Sequence, residues 1–377
     1  MPFVRMSSKR VEDSMMGGLI SRGLAFLVAC FLLSTVTGTA TAAPLAVRGI
    51  HLLAPRQSDV PLFVRFISEA LPKEGVNTLV LEINYRYHSS IRPEVAERDA
   101  LSRADLQVIG AACKTARVRL IPLIDLLGHQ SWGSQQRALL RAHPELTEPS
   151  EKYPCAEGIC NSSYCPLHPD THAIVFDLID EIMDACGADA FHAGLDEVVV
   201  LGEDACPRCR GISRAQLFAD EVAAIHNHLA KSNRQMWMWG DRLLDGPTTG
   251  LGKWGGSENG TADAIRMISK DIVICDWHYD VAVPSAAHFA VEGFDVVSSP
   301  WRKPGVALAQ LDLIQSAREH SPPVLGQRMK GVLQTVWSDA GGFIGAYFGE
   351  AATDLRTAEA VVCFKTLFEE IRRRGLR

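Results

Sequence analysis

Hydrophobic residues along the chain follow two patterns that alternate, one typical of buried strands and one typical of helices. The alternation predicts the order of strands and helices. Short stretches of seven to nine residues are almost continuously apolar, as strands buried on both faces must be. Longer segments between them carry apolar residues at helical spacing. The eight predicted strands are Val47–Ala54, Thr78–Tyr85, Arg119–Leu126, Ala190–Glu197, Gln235–Asp241, Asp271–Tyr279, Asp295–Arg302 and Gly331–Asp339.

The segments between the strands predict helices and, with the strands, a fold class. Strands that alternate with helices indicate a parallel sheet, and eight such units within about 330 residues fit a single-domain α/β protein with a (β/α)8 TIM barrel. An open doubly wound sheet is the alternative, but the first strand lacks the glycine-rich phosphate turn of its dinucleotide-binding version. The predicted helices are Pro61–Leu71, Leu101–Ala116, Ala173–Cys186, Ser213–Ala230 and Thr353–Arg374.

The first 43 residues have a pattern of their own. Basic residues come first, an apolar run covers 23–36, and small residues follow around Ala42 and Ala43. This order is typical of a secretory signal peptide. It predicts a boundary between a signal peptide (1–43) and a catalytic domain (44–377), with export to the periplasm or the cell exterior. The 14-residue run is short for a membrane span, so membrane contact is expected only through an uncleaved N-terminus or one lipidated at Cys30.

Composition and charge narrow the possible partners. The chain has 377 residues, of which 47% are hydrophobic and 22% are charged, as in ordinary globular proteins. Its formal net charge is −6, and removal of residues 1–43, with four basic and two acidic side chains, leaves −8. No basic block is present, so no nucleic-acid partner is expected. The sequence does not indicate an oligomeric state.

The ends of the predicted strands carry the candidate chemistry. In a parallel barrel the carboxyl ends of all strands meet at one mouth, where active sites lie. Tryptophans there can stack on the apolar face of a sugar ring, and carboxylates can bind its hydroxyls. The pattern therefore predicts a sugar site. Its strand-end residues include Asp125, His129, Asp196, Glu197, Trp239, Asp241, Trp277, Tyr279, Trp337 and Asp339.

The stretch "FHAGLDEV", residues 191–198, carries a motif in which two acids are adjacent. It resembles glycoside hydrolase family 20, the β-N-acetylhexosaminidases, whose signature is His-x-Gly-x-Asp-Glu at the end of the fourth barrel strand. "IPLIDLLGHQSW", "MWMWGD" and "LQTVWSD" are similar to that family's third, fifth and eighth strand segments. The resemblance covers Val47 to Phe364 and is strongest to the compact, hexosaminidase D-like members. Leu195 departs from it, because many members have glycine there.

The resemblance implies an exo-β-N-acetylhexosaminidase that needs no cofactor and acts on a carbohydrate with a terminal N-acetylhexosamine. In this family the substrate's own acetamido oxygen attacks the anomeric carbon, an exception to the usual pair of flanking carboxylates. Glu197 is then expected to be the general acid/base, and Asp196 the carboxylate that orients the acetamide. The charge of Asp196 should raise the pKa of Glu197.

Supporting roles follow from the same resemblance. Tyr279 is expected to hydrogen-bond the acetamide, and Asp339 to bind the outer hydroxyls. His129 is similar to the histidine that supports the general acid. The remaining expected substrate-binding residues are Arg48 near the first strand, His192, Asp241, and the pocket walls Trp239, Trp277 and Trp337.

Other interpretations of the site remain open. A catalytic metal on His192, Asp196 and Glu197 is not expected, because no His-Glu-x-x-His or comparable spacing is present. His192 is instead expected to be buried behind the strand end. The rival functions are a barrel glycosidase acting on sugars without an acetamido group, and a non-catalytic sugar-binding protein.

Five of the nine cysteines that follow residue 43 cluster in the two loops flanking the fourth unit. Export would favour disulfides between these loops, although an odd number leaves one thiol over. The Cys-x-x-Cys pair with partners from the other loop also fits a structural zinc site. The clustered residues are Cys155, Cys160 and Cys165 in the first loop, and Cys206 and Cys209 in the second.

Overall fold

A computed structural model describes residues 43–132, 135–150 and 162–377. The expected signal peptide, apart from Ala43, lies outside the described residues, as do Cys155 and Cys160. The described residues form one compact unit.

All eight predicted strands are present, and they close into a barrel. Each strand pairs in parallel with its neighbours along the chain, and the first strand also pairs with the last, for example through Val47 and Gly331. Closure excludes the open sheet and confirms the predicted barrel. The strands are β1 (Val47–Leu53), β2 (Thr78–Glu82), β3 (Arg119–Leu126), β4 (Ala190–Gly194), β5 (Gln235–Trp239), β6 (Val273–Trp277), β7 (Asp295–Ser299) and β8 (Met329–Val336).

Most strands end earlier than their apolar pattern predicts. β4 stops at Gly194, three residues before Glu197, and β5 stops at Trp239, before Asp241. The residues beyond each end turn out of the sheet and into the barrel mouth. The hydrophobic pattern continues there because these turns are also buried.

Helices surround the barrel, and the predicted ones are all found within a few residues. The first predicted helix is part of a longer helical stretch that contains a π turn, Phe66–Ala70. Among the described residues, seven helices were not predicted: four of six residues or fewer, and those at Ser285–Val291, Pro304–His320 and Ala340–Phe348. The last of these contains three glycines, which obscure its helical pattern in the sequence. The helices are α1 (Val60–Arg65), α2 (Leu71–Glu74), α3 (Arg103–Ala116), α4 (Ala138–Ala142), α5 (Thr171–Cys186), α6 (Arg214–Ala230), α7 (Gly246–Thr249), α8 (Gly252–Gly255), α9 (Ser285–Val291), α10 (Pro304–His320), α11 (Pro323–Arg328), α12 (Ala340–Phe348) and α13 (Leu355–Arg373).

The hydrophobic core has two layers because successive strand residues face opposite sides. In β5, Trp237 and Trp239 belong to a cluster inside the barrel, while Met236 and Met238 pack in the layer between strands and helices. Both layers exclude water, which explains why the strands are apolar throughout. In the described part of the chain, no helix is both long and apolar enough to cross a membrane.

Candidate active site

The two adjacent acids follow β4 on a sharp turn in which three residues adopt the left-handed backbone conformation. Gly194, Leu195 and Glu197 all have positive φ, at 65°, 69° and 48°. A Cβ on Gly194 would lie 2.5 Å from both Cα and Oδ1 of Asp125. Glycine is therefore required at position 194, whereas Leu195 adopts the left-handed conformation as a fully buried leucine. Strain of this kind is concentrated at functional sites.

A single histidine nitrogen contacts both acids. His129 Nε2 lies 3.2 Å from Asp196 Oδ2 and 3.4 Å from Glu197 Oε2. Burial alone would lower the pKa of His129, but the negative charge of Asp196 and its hydrogen bond outweigh burial and raise the pKa to about 10. His129 is therefore a cation held between two carboxyl groups. The expectation that it supports the general acid fits this geometry.

The two acids differ in protonation although they are neighbours. Burial alone would raise the pKa of Asp196, but the charge and hydrogen bond of His129 outweigh burial and hold it below the usual range. Burial, followed by the charge of Asp196, raises the pKa of Glu197 to about 7. Asp196 is thus ionised near neutral pH, whereas Glu197 is about half protonated at pH 7 and mostly protonated below it. The expected effect of Asp196 on Glu197 is present, but burial contributes more.

A buried pair positions the backbone of Glu197. Asp241 Oδ2 accepts the Glu197 N–H at 2.9 Å and the Arg242 Nε–H at 2.7 Å, while its Oδ1 accepts the Trp277 indole N–H at 3.2 Å. Arg242 is 1% exposed and also donates to main-chain oxygens, including that of Gly256. Asp241 was expected to bind sugar, but both its oxygens are engaged within the protein, so it acts as a positioning residue.

Aromatic side chains form the floor and one wall of the mouth. Trp239 is fully buried beneath the acids, with its ring centroid 4.4 Å from that of His192. Trp277 stacks on Tyr279 at 5.0 Å, and the Trp337 indole N–H donates to the Tyr279 hydroxyl at 2.9 Å. Trp277, Tyr279 and Trp337 are only partly buried, so they can meet a ligand, whereas Trp239 is part of the floor.

His192 is buried, as expected. Its Nδ1 accepts the Gly194 N–H at 3.1 Å, and burial, followed by the charge of His51, lowers its pKa to about 3. His192 is therefore neutral and holds the end of β4.

Two residues expected to bind sugar lie in very different places. Asp339 is at the rim with its side chain 43% exposed, where it accepts the Gly342 N–H at 3.1 Å and lies 3.5 Å from Arg56 Nε. Arg48 is the second residue of β1, at the opposite end of the barrel, and its guanidinium donates to the carbonyls of Gly75 and Leu45. The prediction of Arg48 as a sugar ligand is therefore wrong, because its strand position faces away from the mouth.

Two residues that sequence reasoning missed, and one strand-end residue to which it gave no role, complete the site. Arg242 could have been found because it follows the Trp-Gly-Asp motif directly. Arg56 lies in a loop after β1, where no motif indicates a role. Asp125 had been placed at a strand end without a role; burial and the charges of Glu82 and Asp196 raise its pKa well above the usual range, so it is a neutral acid beneath Asp196.

The structure brings together three of the five clustered cysteines. Cys165 Sγ lies 3.4 Å from Cys209 Sγ and 3.7 Å from Cys206 Sγ, and all three are buried, unbonded thiols. The expected disulfides are therefore not found among these three. The carboxylate of Glu148, which sequence reasoning also missed, completes the cluster.

Comparison with known proteins relates this site to one family. The model for glycosyl hydrolase family 20, catalytic domain, matches residues 76–333, about two thirds of the chain. Hexosaminidase D of Bos taurus is 26% identical over 199 residues, which cover 50% of this chain and 54% of that protein. The chain thus spans about half the length of the curated relative it matches.

Solved structures of low identity share the fold. Flavobacterium johnsoniae chitobiase superposes with a TM-score of 0.60 at 17% identity, covering 88% of this chain and 52% of that one. The exo-β-N-acetylglucosaminidase of Vibrio harveyi gives 0.60 at 18% identity, with 88% and 58% covered. Dispersin B gives a TM-score of 0.51 at 17% identity, and the match covers 86% of this chain and 98% of the dispersin B chain.

Proposed function

Because the chain belongs to glycosyl hydrolase family 20, we propose that it is an exo-β-N-acetylhexosaminidase. It would release terminal β-linked N-acetylglucosamine or N-acetylgalactosamine with retention at the anomeric carbon. The observation that carries the proposal is the contact of one cationic histidine, His129, with an ionised Asp196 and a protonated Glu197. The similarity to hexosaminidase D and to the Vibrio harveyi enzyme supports the acetamido sugar as substrate.

In the proposed first step, the acetamido oxygen forms a bond to the anomeric carbon while the bond to the leaving oxygen breaks. Glu197, with a pKa of about 7, gives its proton to that oxygen. Asp196 accepts the acetamide N–H and stabilises the positive charge that develops on the group. Its Oδ1 is buried and has no hydrogen-bond partner within the described ranges, so an oxygen is available for this contact.

In the second step, water attacks the anomeric carbon of the cyclised intermediate, and the bond to the acetamido oxygen breaks. Glu197, now a carboxylate, takes the proton of that water and returns to its starting form. Tyr279 accepts the Trp337 N–H, so its own hydroxyl proton can be donated to the acetamide oxygen. Trp277, stacked on Tyr279, supplies an apolar face for the sugar.

The test compares two chromogenic substrates that differ only in the 2-acetamido group. We expect turnover of the β-N-acetylglucosaminide and at least about 10²-fold lower kcat/KM for the plain β-glucoside, because only the first substrate carries the nucleophile. Equal turnover of both would favour a glycosidase with a protein nucleophile, and binding without turnover would favour a sugar-binding protein.

Glu197→Gln tests the assigned acid. The amide cannot donate its proton to the leaving oxygen, so kcat should fall by about 10²–10⁴ while the fold is kept. Glu369→Gln, an exposed residue of α13, is the matched control and should retain full activity. Full activity in Glu197→Gln would contradict the mechanism.

We also propose that the protein is exported. The support is the order of basic, apolar and small residues in 1–43.

A further inference from the structure

Three thiols and one carboxylate converge in the protein interior, on the side of the site where the chain leaves Glu197. Cys165, Cys206 and Cys209 are fully buried, and Glu148 is 2% exposed. One ligand atom from each of the four lies within 4.8 Å of all the others. Nothing in the proposed hydrolysis uses these groups.

We propose that Glu148, Cys165, Cys206 and Cys209 bind one structural Zn²⁺ ion. In a tetrahedral site with Zn–S bonds of about 2.3 Å, sulfur atoms lie about 3.8 Å apart. The two sulfur–sulfur distances measured from Cys165, 3.4 and 3.7 Å, are close to that value. A disulfide requires about 2.05 Å and would use only two of the three sulfurs.

The carboxylate of Glu148 has the surroundings of a metal ligand. Its Oε1 accepts the N–H groups of Gly202 at 3.0 Å and Glu203 at 3.2 Å. Its Oε2 is buried, and no N–H or O–H group of the described residues donates to it. A buried carboxylate is costly unless it is paired or coordinated, and ligating carboxylates are characteristically hydrogen-bonded through their surroundings.

The proposed site would fix the loop that follows the catalytic pair. Four protein ligands close a tetrahedral zinc site, which is the arrangement of structural rather than catalytic ions. Cys165 and Glu148 precede α5, whereas Cys206 and Cys209 lie in the loop between Glu197 and α6. The metal would therefore join the two segments that flank β4. Asn259 already holds the start of the same loop through the carbonyls of Val198 and Val199.

The experiment measures metal in the full-length protein purified without chelators. We expect close to one zinc per chain by mass spectrometry of the metal, and loss of nearly all of it in the Cys206→Ser, Cys209→Ser double variant. Cys113→Ala removes a buried thiol of α3, outside the cluster, and should keep the zinc. Replacing zinc with Co²⁺ should give the near-ultraviolet thiolate-to-cobalt absorption of a tetrahedral site.

A second variant keeps the proposal testable if the double variant does not fold. Glu148→Gln retains all three thiolates, and its zinc affinity should fall by at least about tenfold in competition with a chelating dye. Protein without zinc, whether its thiols are free or joined in a disulfide after alkylation and mass analysis, would overturn the proposal. So would full zinc content in the double variant. These readouts do not depend on hydrolytic activity, so the two proposals can fail separately.

Discussion

At the scale of residues, neighbouring side chains acquire different roles from their surroundings. Asp196 and Glu197 are adjacent in sequence and share His129, yet one is ionised and the other holds a proton. Asp196 is buried and Glu197 is partly buried, and the cation lowers the pKa of each. Asp196 lies closer to His129 than Glu197 does. The negative charge of Asp196 also raises the pKa of Glu197. The difference in protonation is therefore set by electrostatics and does not require the two acids to be far apart.

The pKa values predict the pH dependence of kcat/KM. The reaction needs Asp196 ionised and Glu197 protonated, so activity should fall as pH rises through about 7 and persist downwards until Asp196 becomes protonated below its usual range. His129→Gln removes the positive charge that lowers both pKa values. Both limbs of the profile should then move to higher pH, with lower maximal activity. An unchanged profile would show that His129 is not the cation described here.

Substitution of Arg48 tests whether this residue stabilises the barrel, as its position indicates, or binds sugar. Its guanidinium bonds carbonyls at the closed end of the barrel, far from the acids in strand register. Arg48→Ala should lower the free energy of unfolding by about 1.5–3 kcal/mol, the range for hydrogen bonds to a charged group. KM should not change. Denaturant titration and steady-state kinetics measure the two effects, and a raised KM with unchanged stability would restore a role in sugar binding.

At the scale of elements, the turn after β4 decides where the acids lie. Three residues with positive φ in four positions turn the chain sharply, and β4 comes so close to Asp125 that only hydrogen fits at Gly194. A straight strand would have sent Asp196 and Glu197 to opposite faces of the sheet. The turn instead brings both carboxyl groups to one histidine.

Gly194→Ala tests the turn. The methyl group would meet Asp125 at 2.5 Å in addition to the left-handed strain, so unfolding free energy should fall by more than about 4 kcal/mol. Gly187→Ala is the matched control, because its φ is also positive, at 62°, but no atom lies within 4 Å of the added methyl. It should cost only about 1–2 kcal/mol. Equal losses in both variants, measured by denaturant unfolding, would show that the contact with Asp125 is unimportant.

At the scale of the whole molecule, closure of the barrel gathers residues that are distant in sequence. Asp125, His129, Glu197, Asp241 and Tyr279 meet at one mouth because parallel strands all end on the same side. The same closure puts Arg48 at the other end. The chain after residue 43 also begins at that far end, where the Leu45 N–H donates to the carbonyl of Leu376 at 2.8 Å.

Export predicts a defined mature chain. When the full sequence is expressed in a bacterial host, the periplasmic protein should begin at residue 43 or 44, because small residues precede that point. Intact-mass analysis of the cell fractions measures this. The matched control replaces apolar residues of 23–36 with charged ones and should abolish cleavage. A chain that stays full-length and membrane-bound would indicate an anchor instead.

The sequence alone determined the strand order, the barrel and the acid pair, because these depend on local hydrophobic spacing and on a contiguous motif. The register of the strands, the hydrogen-bond partners of the side chains and the meeting of residues distant in sequence depend on long-range packing. Only the tertiary structure could therefore decide them. The structure places Arg48 at the end of the barrel opposite the acids, and it engages both carboxylate oxygens of Asp241 in hydrogen bonds within the protein. It also brought Glu148 to three thiols that lie 17 to 61 positions further along the chain. A residue's position in the hydrophobic pattern specifies which face of a helix or strand it occupies. The closure of the barrel determines which other side chains contact it there.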